Sequence, residues 1–181
     1  MRFLLALCLA VCAAQPGLAQ APAAPPSGYH GFDWELGTWT TNVRVRQNPL
    51  SGEAPKWAEY QGTSVVRPLL DGRANFVELS VVGEAGKIEG GSLRLFNPQS
   101  GQWSLNYASL RNGLLTPPVY GRFDASGRGL FYGQDMLDGR AILVRFVITQ
   151  VSNREAHFEQ AYSADGGATW ETNWIARDTR R

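Results

Sequence analysis

The chain has 181 residues, 17 Lys plus Arg against 16 Asp plus Glu, and a formal net charge of +1, with 44% of its residues hydrophobic. A charge this balanced, with no basic run, leaves no electrostatic footprint for nucleic acid or an anionic membrane surface. Both cysteines, Cys8 and Cys12, precede Pro16, so removal of that segment would exclude disulfides, zinc-thiolate sites and cysteine catalysis.

Arg2 leads into the apolar run Phe3 to Ala14, followed by Pro16, Gly17 and small residues at Ala19 and Ala21. This is the layout of a secretory signal peptide over residues 1–21, too short to span a membrane. A lipid anchor would need a small residue just before the first mature cysteine, where Leu7 and Val11 stand. Residues 22–30 form a flexible Pro/Ala-rich lead, and residues 31–181 form one domain large enough to bury a core. The expected address is periplasmic or extracellular.

Helical periodicity is scarce, whereas two-residue alternation bounded by Gly, Pro, Asn and Asp recurs throughout. After a short helical turn at Asp33 to Leu36, strands are predicted at Thr38–Arg46, Trp57–Arg67, Ala74–Val82, Ser92–Phe96 and Gln102–Leu110. An edge-like entry at Pro117 and Pro118 gives a sixth strand ending near Phe123. Four more follow at Leu130–Met136, Arg140–Thr149, Arg154–Tyr162 and Thr169–Arg177. A meander of ten strands leaves two costly edges unless it closes on itself. The expectation is an all-β, up-and-down antiparallel barrel, with a two-sheet sandwich as the competitor.

The last hairpin loop, SADGGATW, fits the Asp-box pattern through Ser163, Asp165, Gly167, Thr169 and Trp170. Gly166 and Gly167 tolerate the positive φ of a tight turn, and Asp165 is read as bonding its own backbone rather than as a catalytic acid.

Gly37 and Trp39 on the first strand, with Arg177 on the last, form a pattern that resembles the calycin superfamily of lipocalins, fatty-acid-binding proteins and ten-stranded nitrobindins. The resemblance implies that Arg177 packs across Trp39 and closes the barrel. More closely, FDWELGTW, LDGR, NPQSGQW and SADGGATWETNW resemble a secreted bacterial lipocalin-like family of unknown function. These motifs specify a fold rather than a reaction.

A two-residue turn at Ser152 and Asn153 would set Arg145 opposite Gln160, and the last hairpin would set Gln160 opposite Asn173. Tyr132 would then face Arg145, and alternation would add Tyr162, Glu171, Val147, Phe158, Ile175 and Arg177 to the same face. With Arg177 inward, this face lines the lumen, and Arg145 is the expected partner of an anionic ligand head, oriented by Tyr132, Gln160 and Asn173. The opposite face carries Ile142, Val144, Phe146, Ile148, Trp170 and Trp174. It is apolar enough to admit an inversion of the two faces, a sandwich, or a covering partner subunit.

No nucleophile elbow, phosphate loop or zinc-protease motif is present, and GRGLFYG opens a strand rather than a helix. The leading expectation is a non-enzymatic barrel that holds a small hydrophobic or amphipathic molecule, without a metal or cofactor. The alternatives are a nitrobindin-like haem barrel using a histidine or tyrosine, and a filled barrel whose outer tryptophans mediate homodimerisation or docking. On the predicted register His157 points outward with Glu159, which disfavours it as a haem ligand.

Overall fold

The structure, a computed structural model, describes residues 28–181. The expected signal segment and most of the Pro/Ala-rich lead lie outside the described residues. Strands run at Gly37–Gln47 (β1), Lys56–Leu69 (β2), Ala74–Gly83 (β3), Gly86–Asn97 (β4) and Gln102–Ser109 (β5). After the two-residue β6 at Leu114–Leu115 come Val119–Phe123 (β7), Arg128–Leu137 (β8), Arg140–Ser152 (β9), Glu155–Ser163 (β10) and Glu171–Arg180 (β11). One 3-10 turn, Asp33–Glu35, precedes them.

Every pairing is antiparallel. β1 pairs with both β2 and β11, and β4 pairs with both β3 and β5. Ten strands therefore close into an antiparallel barrel, with β6 a short addition beside β5. Closure satisfies the backbone groups that the ends of an open meander would leave unpaired.

β4 begins earlier than the expected Ser92, because Gly90 and Gly91 continue the strand instead of ending a turn. A Cβ at Gly91 would stand 2.1 Å from the Phe76 ring, and one at Gly90 would stand 2.4 Å from the Tyr107 hydroxyl. The two glycines let aromatic side chains lie against the strand on opposite faces.

One end is plugged by the segment ahead of β1. Phe32 is fully buried, edge-on to Trp103 and Phe123 at 5.0 and 4.8 Å. Trp39, only 1% exposed, donates its indole N–H to the Glu35 carbonyl at 2.7 Å. The guanidinium over Trp39 belongs to Arg180, 4.2 Å from the ring, and not to the expected Arg177. Arg180 also donates to the carbonyls of Leu36 at 2.7 Å, Asn153 at 3.0 Å, and Trp34. Arg177 is exposed on the outer face, with Nη1 3.2 Å from His157 Nε2.

The cause is a β-bulge. Tyr162 pairs with Glu171 and Ala161 with Thr172, but Gln160 pairs with Trp174, so Asn173 is the extra residue. Beyond it the alternation reverses, turning Ala176, Asp178 and Arg180 inward and Ile175 and Arg177 outward. Arg180→Met is expected to cost about 2 kcal/mol, through lost charge-assisted bonds and the cation-π contact. Arg177→Met should cost less than about 1 kcal/mol. Denaturant midpoints for the two variants check this order.

A second bulge lies between β9 and β10. Glu155 pairs with Ser152 while Ala156 pairs with Gln150, leaving Val151 unmatched. The turn itself is Asn153–Arg154, not the expected Ser152–Asn153, and this shift combined with the bulge sets Arg145 opposite Ala161 rather than Gln160, with Phe146 opposite Gln160. The apolar row Ile142, Val144, Phe146 and Ile148 is the inner face of β9. Arg145 and Val147 belong to the outer one.

Candidate functional site in the barrel lumen

The lumen holds a cavity of about 510 Å³. Its walls are mainly apolar, with Val43, Leu79, Leu105, Val144, Phe146 and Phe158 contributed by five different strands. On β5 the apolar row Trp103, Leu105 and Tyr107 faces in, and Gln102, Ser104 and Asn106 face out. The plug closes the floor, and the mouth lies among Pro49, Thr116, Pro117 and Leu137.

Besides Arg46 and Asp135, two polar groups interrupt these walls. In the upper half, Gln160 donates to the Tyr162 hydroxyl at 3.0 Å and to Asn173 Oδ1 at 3.4 Å. These three residues were expected together, and all line the cavity. Burial pushes the Tyr162 phenol above its ordinary pKa, against the opposing bonds from Asn173 and Gln160. Tyr107, also in the wall, is raised by burial as well.

The second group sits at the floor and was not anticipated. Arg94 of β4 is 6% exposed and forms a bidentate pair with Glu35 of the plug, at 2.5 and 3.2 Å. Its guanidinium carbon lies 4.2 Å from the Phe32 ring centroid, and its Nε is buried without an acceptor. Beside this pair, Thr41 donates to Asp178 Oδ1 at 2.6 Å, and Thr41 Oγ1 is 2.8 Å from Ser64 Oγ. Burial pushes the Asp178 carboxyl up to about 6, despite the opposing bond from Thr41. An Arg between two leucines in SLRLF, on the row of Ser92 and Phe96, was the available signal for Arg94. Asp178 was missed because the last strand was ended one residue before it.

The remaining expected site residues lie elsewhere. Arg145 does not enter the lumen: its guanidinium stacks 4.6 Å from the Trp170 ring on the outside. Tyr132 is paired with Arg145 as expected, but is 49% exposed and 6.0 Å from Trp170. Those three side chains form an outer aromatic cluster, so the proposed anion partner and one of its orienting groups stand on the wrong side of the wall. Glu171 sits near the mouth, 3.0 Å from Arg46, and accepts from the Leu50 backbone N–H at 2.7 Å. It ties down the β1–β2 loop.

In the β10–β11 loop, Ser163 Oγ donates to Asp165 Oδ1 at 2.7 Å and accepts from the Gly167 N–H at 2.9 Å. Asp165 accepts from the Thr169 N–H and hydroxyl at 2.9 and 2.6 Å, and the Trp170 indole donates to the Gly167 carbonyl at 3.0 Å. The Thr169 hydroxyl, Thr169 N–H and Ser163 hydroxyl hold the Asp165 carboxyl well below its usual range. Strand β11 starts only at Glu171, since Thr169 and Trp170 are engaged within the loop.

His157 lies 3.0 Å from Glu155 and 3.2 Å from Arg177, and His30 lies 2.6 Å from Asp33. Both imidazoles are thus engaged with exposed groups, although His157 is also among the residues that border the cavity. Among the described residues, no cluster of three or more His, Cys, Asp or Glu side chains has the arrangement to hold a metal ion.

No protein-family model and no curated protein matches the chain. Among solved structures, an S-type phycobiliprotein lyase, CPES, from Guillardia theta aligns with a TM-score of 0.55 and 11% identity, over 83% of this chain and 90% of that one. A structure of EF1p2_mFAP2b bound to DFHBI aligns at 0.47 and 11% identity, over 86% and 100% of the two chains. The similarity to the lyase is one of fold. The chain is an all-β, closed ten-stranded antiparallel barrel of lipocalin-like fold.

Proposed function

We propose that the protein is a secreted, non-enzymatic barrel that carries a small, largely apolar molecule in its lumen. The observation that carries this reading is the cavity of about 510 Å³, apolar in its walls and polar at two places inside them. Carrier pockets have this character: apolar surface supplies affinity, and a few fixed polar groups orient the guest. The solved barrel that shares the fold is a phycobiliprotein lyase, a context compatible with this use of the fold. Secretion rests on the signal-like layout of residues 1–21, and no cofactor is needed.

The test is to purify the protein natively and identify by mass spectrometry what denaturation releases. Ala176, 6% exposed, lines the cavity, so Ala176→Trp should fill it. An organic molecule is expected from the wild-type protein, with at least about tenfold less from the filled variant. Equal retention by a folded Ala176→Trp protein would overturn the lumen as the binding site.

A further inference from the structure

We infer that Asp178 is the docking carboxyl for the protonated amine of an otherwise apolar ligand, which enters head first and seats its amine on the barrel floor. This deepens the carrier reading and rests on it. The lumen carries a charge imbalance. Arg94 is paired with Glu35 and Arg46 with Glu171, so both lumen-side guanidinium groups have carboxylate partners. Asp178 lines the same cavity and forms no ion pair among the described residues. Its one hydrogen bond is from Thr41, whose hydroxyl is held by Ser64.

A buried carboxylate with a single neutral hydrogen-bond donor and no ion-pair partner carries a desolvation cost, which a proton or an incoming cation relieves. Glu35 adds negative potential beside Asp178, while Arg94 and, to a smaller extent, His157 oppose it. Thr41 fixes one carboxyl oxygen, a fixed hydrogen-bonding geometry in which an ammonium group could replace the missing countercharge. The apolar walls above the floor, including Val77, Ile148 and Phe158, would take the hydrocarbon body.

The binding should depend on pH in a definite direction. Because burial raises the carboxyl to about 6, amine binding below that pH must displace a proton, and affinity should fall by about tenfold per pH unit. Glu35 from the plug, Arg94 from β4 and His157 from β10 are the charged or titratable groups that act on Asp178. His157→Gln should leave the pH dependence in place, since that ring is bonded to Glu155 and Arg177.

Decylamine, decanol and decanoate, titrated calorimetrically into the full mature protein at pH 8, test the inference with one hydrocarbon body and three heads. Decylamine is expected to bind at least about tenfold more tightly than decanol, and decanoate the most weakly. Asp178→Asn should bring the amine to within about threefold of the alcohol while leaving alcohol binding intact. Equal binding of amine and alcohol by the wild-type protein, or an amine advantage that survives Asp178→Asn, would overturn the amine assignment but leave the carrier reading standing. Binding of none of the three, or binding unaffected by Ala176→Trp, would sink both.

Discussion

Glu35→Ala is expected to destabilise the protein by about 3–5 kcal/mol, because it leaves the buried Arg94 guanidinium without its countercharge. The pair is deeply enclosed, with side chains 7% and 15% exposed for Arg94 and Glu35. The nearby Asp178 carboxyl is held by Thr41 and makes no ion pair with Arg94, whose Nε is buried without an acceptor. The cost is that of an uncompensated charge rather than of a lost contact, which gives the experiment its discriminating arm. The double variant Glu35→Leu with Arg94→Met removes both charges and should recover at least half of the loss. Denaturant unfolding of the single and double variants measures this. A double variant as unstable as the single one would mean that Glu35 matters through its place in the plug and not through the pair.

The fold was legible in the sequence because its punctuation is local. Asp71–Gly72 and Asp138–Gly139 announce turns, and Asp71, Gly72, Asp138 and Gly139 all adopt positive φ. Asn97 and Gly101 likewise bracket the β4–β5 loop, where Gly101 donates to the Asn97 carbonyl at 2.9 Å. Such residues constrain the backbone whatever surrounds them. Even the barrel seal was readable in kind: an arginine on the last strand does cover Trp39, but it is Arg180.

The site was less legible because inside and outside depend on register, and one unmatched residue reverses every later side chain on its strand. Val151 and Asn173 are such residues, and neither has a composition that marks a bulge. Counting inward from the hairpins therefore put Arg145 in the lumen and left Asp178 off the strand. The run Ile142, Val144, Phe146, Ile148 carried the better information: burying four large apolar side chains outweighs the preference of one arginine for an anion. Gln160, Tyr162 and Asn173 were found together because the register from the last hairpin holds up to the bulge at Asn173.

Asp178→Asn should stabilise the unliganded protein by about 2–3 kcal/mol at pH 8 and leave it unchanged near pH 4. The sign follows from the direction of the shift. Burial raises the folded-state carboxyl from its ordinary 3.8 to about 6, so the native protein favours the protonated acid more than the unfolded chain does. Between those values the folded state binds the extra proton, and stability falls as pH rises through the window from about 4 to about 6. Above it, both states are ionised and the full cost of a buried carboxylate is present. Below it, both are neutral and the cost vanishes. Asparagine keeps an oxygen to accept from Thr41 but never ionises, so this part of the pH dependence should disappear. Thermal or urea unfolding from pH 4 to pH 8 reads it directly, and a wild-type stability that rises through this window without a matching change in the variant would contradict the assignment. Together with the expected loss of amine selectivity, the result would make Asp178 a residue that lowers the stability of the empty barrel in favour of binding.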